Sequence, residues 1–275
     1  MNQIFSTVVA VAGLAFLFIF SSSLSSLNHE ERKMKLVWSD EFKKDGLPDS
    51  TKWGYDTGDG CPMKCGWGNN ELQYYTARRL ENARVEGGNL IIEAHREKMG
   101  SREYSSSRMV SKHKGDWTYG RIEARAKLPK GRGVWPAIWM LPTDWAYGDW
   151  PASGEIDIME HVGYIPDSIF GTVHTKLYNG LLGTQKSKGI EVNSVSEQFH
   201  TYGIEWNKDK IDFLFDGKAF HSFPNKHEGP DGWPFDLDFH LVLNMAVGGN
   251  WGGKMGVDTA IWPQKMLVDY VRVYQ

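Results

Sequence analysis

An all-β fold, two curved antiparallel sheets packed face to face as a jelly-roll sandwich, is what this 275-residue sequence predicts. Three observations point to it. Short runs rich in β-branched and aromatic residues recur along the chain, bounded by turn residues. Glycine totals 30, as a turn-rich all-β chain requires. Helical periodicity is scarce, and only residues 194–199 suggest one short helical turn.

The elements follow in order. Asn89-Leu90-Ile91-Ile92-Glu93-Ala94 and residues 119–126 read as strands. The Trp-rich run from Val134 to Pro142 and the run Glu155-Ile156-Asp157-Ile158-Met159-Glu160 come next, with Phe170-Gly171-Thr172-Val173-His174-Thr175 one strand on. Residues 211–215 and 218–223 flank Asp216-Gly217, a dipeptide suited to a tight primed turn, so they predict a hairpin. Residues 240–244 and 266–274 supply further strands. No internal repeat, heptad or long linker interrupts the series.

Bulk properties narrow the function. After a leader, about 240 residues remain, one β-sandwich's worth and enough to bury a sizeable core. Charge is balanced, 31 basic against 34 acidic residues, net −3. No basic run or nucleic-acid motif is present, so a polyanion partner is not expected. Residues 1–28 read as a signal peptide: residues 4–20 are apolar apart from Ser6 and Thr7, and the serines of 21–26 offer cleavage positions. That run also approaches the minimum for a membrane span, so an uncleaved anchor is the alternative. Export to the extracellular space or a periplasm follows from the first reading, a membrane tie only from the second. The catalytic domain is expected over 35–275. No oligomerisation signal is visible, which leaves a monomer as the expectation.

The two cysteines, Cys61 and Cys65, sit in Gly60-Cys61-Pro62-Met63-Lys64-Cys65-Gly66. A structural zinc site needs more ligands than these, and no nearby histidine supplies them. In an exported protein they are expected to form a small-loop disulfide.

Chemistry concentrates in Glu155 to Glu160. Residues two apart on a strand share a face, so Glu155 and Asp157 point the same way. Glu160 belongs to the opposite face of a regular strand, and one extra residue, a β-bulge near Met159, returns it to theirs. Bulges of this kind recur beside active sites. Acidic residues alternating with Ile ordinarily mark a solvated face. Here Glu160 breaks the alternation, Gly154 precedes the run, and Trp135 and Trp139 lie just upstream. Flat aromatic rings stack on sugar faces. Clustered carboxylates beside tryptophans suit glycoside hydrolysis, which needs a nucleophile and a proton donor.

Taken together these residues resemble glycoside hydrolase family 16, within it the laminarinase-type endo-β-1,3-glucanases. The resemblance rests on Glu155 to Glu160 with its extra Met, Trp38-Ser39-Asp40-Glu41-Phe42, and Gly66-Trp67-Gly68-Asn69-Asn70-Glu71-Leu72-Gln73-Tyr74-Tyr75. It rests too on 135–142, Ala246-Val247-Gly248-Gly249-Asn250-Trp251 and Val268-Asp269-Tyr270-Val271-Arg272-Val273-Tyr274. It spans residues 36–275 and implies the concanavalin-like jelly roll, its concave face carrying the cleft. It implies a retaining double displacement without a catalytic cofactor. Glu155 would be nucleophile and carry the charge, and Glu160 would be acid and then base and carry the proton. Asp157 would bond to Glu155, and His174 would stand beside the acid/base. Trp135, Trp139, Asn69 and Arg108 would contact sugar, with Trp251 lining the cleft. A structural Ca²⁺ held by Glu41, Gly88 and Asp269 is also implied, and these oxygen donors suit it. On a regular strand Asp269 shares a face with Leu267, Val271 and Val273; a cation would explain it, and an arginine or lysine equally well.

Two rivals stand beside this reading. Non-catalytic β-glucan recognition proteins share the fold but lack the catalytic glutamates, which are present here. Relatives also cleave mixed-linkage glucan, agarose or carrageenan, or transglycosylate xyloglucan. The Met-containing run and residues 66–75 favour β-1,3-glucan, and net charge −3 gives no hint of a basic cleft for a sulfated chain.

Overall fold

The computed structural model describes residues 34–275 together with Met1 and Gln3, so the leader or anchor expected over 1–28 lies outside the described residues. In chain order the strands are β1 (Leu36–Asp40), β2 (Gly54–Asp56), β3 (Gln73–Tyr75), β4 (Ala83–Glu86), β5 (Asn89–Ala94) and β6 (Tyr104–Ser106). Then come β7 (Arg108–Val110), β8 (Asp116–Trp117), β9 (Gly120–Lys127), β10 (Val134–Pro142), β11 (Glu155–Glu160) and β12 (Ser168–His174). The last are β13 (Lys186–Glu191), β14 (His200–Trp206), β15 (Lys210–Phe215), β16 (Lys218–Pro224), β17 (Phe239–Val247) and β18 (Gln264–Tyr274).

Two eight-stranded antiparallel sheets result. One runs β16-β15-β14-β9-β18-β5-β4, with β1 also on β18; the other runs β13-β12-β11-β10-β17-β7-β2, with β8 also on β17. Strands β3 and β6 form a small parallel pair. One apolar core joins the large sheets. The first sheet supplies Ile122, Ala124 and Ala126 from β9 and Met266, Val268, Val271 and Val273 from β18. The second supplies Ile156, Ile158 and Met159 from β11 and Leu241, Leu243, Met245 and Val247 from β17. Each buried aliphatic side chain contributes about 1.5–3 kcal/mol over its exposed state. The pleat therefore decides which residues of β10, β11 and β17 are left for the outer face.

Local sequence explains the hairpin of β15 and β16. Asp216 and Gly217 both take positive φ, 46° and 74°, as a primed turn requires. The short turn expected at 194–199 is present, closed by i→i+3 and i→i+4 hydrogen bonds and not extended into a helix. Ser194 sits at φ +70°, and its carbonyl accepts from the amides of Glu197 and Gln198. The one helical element among the described residues is a 3₁₀ turn at Cys65–Gly68, next to the Cys61–Cys65 disulfide.

Candidate active site

β11 lies between β10 and β12, and its register slips once. Against β10, Glu160 pairs with Ala137, Met159 with Ile138 and Asp157 with Trp139, which leaves Ile158 unpaired. Against β12, Asp157 pairs with Thr172 and Glu160 with Phe170, again one residue short. This is a bulge at Ile158-Met159. Both bulge residues enter the core, and Glu155, Asp157 and Glu160 share the outer face. Gly154 launches the strand at φ +88°, where a Cβ would lie 2.8 Å from Pro234, so glycine is required.

The same register builds a row across five strands. Glu160 on β11 opposes Ala137 on β10, which opposes Asn244 on β17, then Arg108 on β7 and Asp56 on β2. Neighbouring strands lie about 4.8 Å apart, so the row spans roughly 19 Å. Ala137 leaves a low floor beside Glu160. Trp139 donates through Nε1 to Asn244 Oδ1 at 2.6 Å. The Arg108 guanidinium stacks between Trp67 and Trp139, 4.6 and 4.7 Å from the ring centroids, and bonds Asp56 Oδ2 at 2.9 Å. Arg108 is thus a clamped, largely buried cation and not a free surface charge.

Around the carboxylates, Trp150 Nε1 donates to Glu155 Oε2 at 2.9 Å and Trp135 Nε1 to Glu160 Oε1 at 3.1 Å. His174 Nε2 lies 3.4 Å from Asp157 Oδ2 and 3.7 Å from Glu155 Oε1. Burial, then the charge of Asp157, raises Glu160 well above the ordinary carboxyl range. Burial, then the charge of Glu155 and a bond to it, does the same for Asp157. Burial and mutual repulsion thus favour the protonated forms of Glu160 and Asp157 beside a third carboxylate, which is how one site keeps an acid and a base together.

Trp251 packs edge-on against Trp135 (5.6 Å) and Phe170 (5.0 Å), so it joins an aromatic cluster beside Glu160. Its glycine loop fits closely: a Cβ on Gly252 would come within 2.8 Å of Trp135 Cβ. Asn69 is tied to that loop, its carbonyl accepting from the Asn250 amide at 2.7 Å. Its side chain donates to Glu71 Oε1 at 3.3 Å.

Several site residues escaped the sequence reading. Trp150 precedes Glu155 by five positions and lies outside the Trp-rich run 134–142. Asn244 is a lone amide in the apolar run 239–247, and a polar residue on a buried strand was the available signal. Glu71, 6% exposed, accepts from Gln73, Asn69 and Tyr75, and burial raises its affinity for a proton. Tyr75 in turn accepts from Asn244.

The residues expected to hold Ca²⁺ lie on the other large sheet. Asp40, beside Glu41, pairs with Val271, and Leu90, two residues past Gly88, pairs with Val268, so all three candidates meet around β18. Both carboxylates already carry arginines. Glu41 takes Arg272 at 2.9 and 2.8 Å, which holds its carboxyl below the usual range, and Asp269 takes Arg125 at 2.5 Å. The expected face of Asp269 also needs correction. A register break between Val268 and Tyr270 turns Val271 and Val273 into the core and leaves Asp269 outside it.

The family model described as glycosyl hydrolases family 16 matches residues 67–272. The β-glucanase of Rhodothermus marinus is 55% identical over 248 residues, 88% of this chain and 85% of that protein. The X-ray structure of the laminarinase from Rhodothermus marinus aligns with a TM-score of 0.85 over 88% of this chain and 97% of that one. A non-specific endo-β-1,3(4)-glucanase variant of the same family aligns with a TM-score of 0.84 at 50% identity, over 89% of this chain and 95% of that one. It presents 1,3-β-D-cellobiosyl-glucose at its active site.

Proposed function

The chain belongs to glycoside hydrolase family 16 and is an endo-acting hydrolase of β-1,3-glucans such as laminarin, and we propose that it works by retaining double displacement from the outer face of β11. The observation that carries the mechanism is the bulge at Ile158-Met159, which gathers three carboxylates on one face, where burial and the charge of Asp157 favour a proton on Glu160. A Glu155 oxygen attacks the anomeric carbon and forms a glycosyl ester. The bond to the leaving oxygen breaks as Glu160 gives that oxygen its proton. Water then attacks the same carbon, Glu160 takes a proton from it, and the ester bond breaks to release Glu155. Trp150 aims Glu155 Oε2, Trp135 aims Glu160, and burial beside the charge of Glu155 favours the protonated form of Asp157. Trp139, Arg108, Asn69 and Trp251 line the path of the glucan.

The test is reducing-sugar release from laminarin. Glu160→Ala is expected to lose about 100- to 10,000-fold in kcat, the usual worth of a general acid. Glu155→Ala should be inactive and regain turnover with formate. Retention of activity by Glu155→Ala would overturn the assignment. Hydrolysis of mixed-linkage lichenan is expected as a second activity, since a 50% identical neighbour is described as β-1,3(4)-active. Action on an exported polysaccharide fits the leader read in 1–28 and the Cys61–Cys65 disulfide, which an oxidising compartment sustains.

A structural Ca²⁺ would use Glu41, the Gly88 carbonyl and Asp269, staple β18 to its neighbours, and take no part in the chemistry. It has to displace Arg272 and Arg125, so the present partners argue for a weak site. A rise in melting temperature with Ca²⁺ that Glu41→Gln abolishes supports the ion. Equal melting in Ca²⁺ and in EDTA leaves the arginines as the charge partners.

A further inference from the structure

His174 meets a backbone N–H on one side and two carboxylates on the other, and the two sides demand different things of it. On one side the Gly180 amide meets Nδ1 at 3.2 Å. A backbone N–H only donates, so Nδ1 accepts and carries no proton, and the proton of the neutral ring is on Nε2. On the other side Nε2 faces Asp157 Oδ2 at 3.4 Å and Glu155 Oε1 at 3.7 Å. Asp157 Oδ2 is buried and has no hydrogen-bond partner, and the His174 Nε2 proton is the donor that stands nearest to it. The opposite tautomer would set N–H against N–H at Gly180 and a lone pair against carboxylate oxygens.

The amide is held in place by the turn after β12. Asn179, 3% exposed, organises that turn. Its Nδ2 donates to the carbonyls of Thr175 and Lys176, and its Oδ1 accepts from the amides of Leu181 and Leu182, all at 3.1 Å. Its own amide donates to Thr184 Oγ1 at 3.1 Å, and its carbonyl accepts from the Thr184 amide at 3.0 Å. Every polar group of Asn179 is spent on this turn.

We propose that Asn179 is a positioning residue that, through the Gly180 amide, locks His174 in the Nε2–H tautomer and makes it the donor to the Glu155–Asp157 pair. The lock also keeps the pair free of metal. Glu155, Asp157 and His174 each place one donor atom within 4.8 Å of the others, a spacing a divalent cation could use. A ligating histidine offers its lone pair to the metal and donates its other ring N–H. Here both ring nitrogens have the reverse roles. The consequence for rate rests on Glu155 being the nucleophile, whereas the tautomer itself does not.

The test is ¹⁵N NMR of histidine-labelled full-length protein, with kcat and KM on laminarin measured alongside. Wild type is expected as the Nε2–H tautomer. Gly180→Pro, which deletes the donor, and Asn179→Ala, which frees the turn, should both raise the Nδ1–H population at least fivefold. They should lower kcat about tenfold with little change in KM, and should become inhibitable by Zn²⁺. Gly180→Ala keeps the N–H, and its Cβ would stand 3.6 Å from His174 Cε1, so it should keep the tautomer. Either variant can lose the fold, and unfolding midpoints separate that case, the other variant then carrying the test. A wild-type Nδ1–H tautomer, or a fall in kcat with the tautomer unchanged in both variants, would overturn the proposal. Failure of the nucleophile assignment would show separately, as activity surviving in Glu155→Ala.

Discussion

Glu160 is held at a proton affinity that stability alone would not select, and that trade can be measured. Its proton is bound more tightly folded than unfolded, so the neutral form stabilises the fold at acid pH, and this contribution is lost as pH rises through the raised folded value. Glutamine cannot ionise. Glu160→Gln should therefore melt above wild type at pH 8, with the gap closing toward pH 4, while activity is lost. Equal melting curves at pH 8 would contradict the raised value. Trp150 is the other residue with a direct hold on the chemistry. A hydrogen bond to a charged group is worth about 1.5–3 kcal/mol. Trp150→Phe removes the 2.9 Å bond to Glu155 and keeps an aromatic ring. Its kcat should fall roughly 10- to 150-fold, and unaltered kinetics would remove Trp150 from the site.

At the scale of the element, the bulge in β11 makes a prediction that depends only on the period of a strand. With Ile158 and Met159 both turned inward, Glu160 faces out. Deleting Met159 alone leaves a regular strand in which Glu155, Asp157 and Glu160 still alternate with Ile156 and Ile158. That variant should fold and retain hydrolysis. Deleting Ile158 and Met159 together sends Glu160 into the core and should abolish activity and lower the melting temperature, since an unpaired buried carboxyl is costly. Product analysis on laminarin and lichenan, with melting curves, checks both. This element was legible in advance because period and one extra residue are local properties. The face of Asp269 was not: its strand also contains a break, at Val268/Tyr270, with no local marker such as the extra Met.

The whole molecule closes its first sheet with β1. Trp38 packs edge-on against Trp53 (5.6 Å) and Trp117 (5.3 Å), Asp40 accepts from Trp53 Nε1 at 2.8 Å, and Phe42 is 2% exposed. Loss of one buried aromatic costs about 3–5 kcal/mol, against a total of about 5–15 kcal/mol for a domain. A chain beginning at residue 43 loses Trp38 and Phe42 together and should lack a cooperative unfolding transition. A chain beginning at residue 34 keeps every residue of the site and should hydrolyse laminarin with the kcat/KM of the full chain. Denaturant titration and laminarin kinetics on the two fragments test this.

By itself the sequence determined the fold class, most strand positions, the Asp216-Gly217 hairpin and the shared face of the three carboxylates. Each depends on the residues within a few positions, through the two-residue period, turn chemistry and the preference of apolar side chains for the interior. Only the tertiary structure decided which strands became neighbours. That brought Asn244 and Arg108 into the row that begins at Glu160, aimed Trp150 at Glu155, set the Gly180 amide on His174, and gave Arg272 and Arg125 to Glu41 and Asp269. Most of these partners stand far apart along the chain. Their meeting depends on the order in which strands pair and on how the whole core packs, and no short window of sequence carries that information.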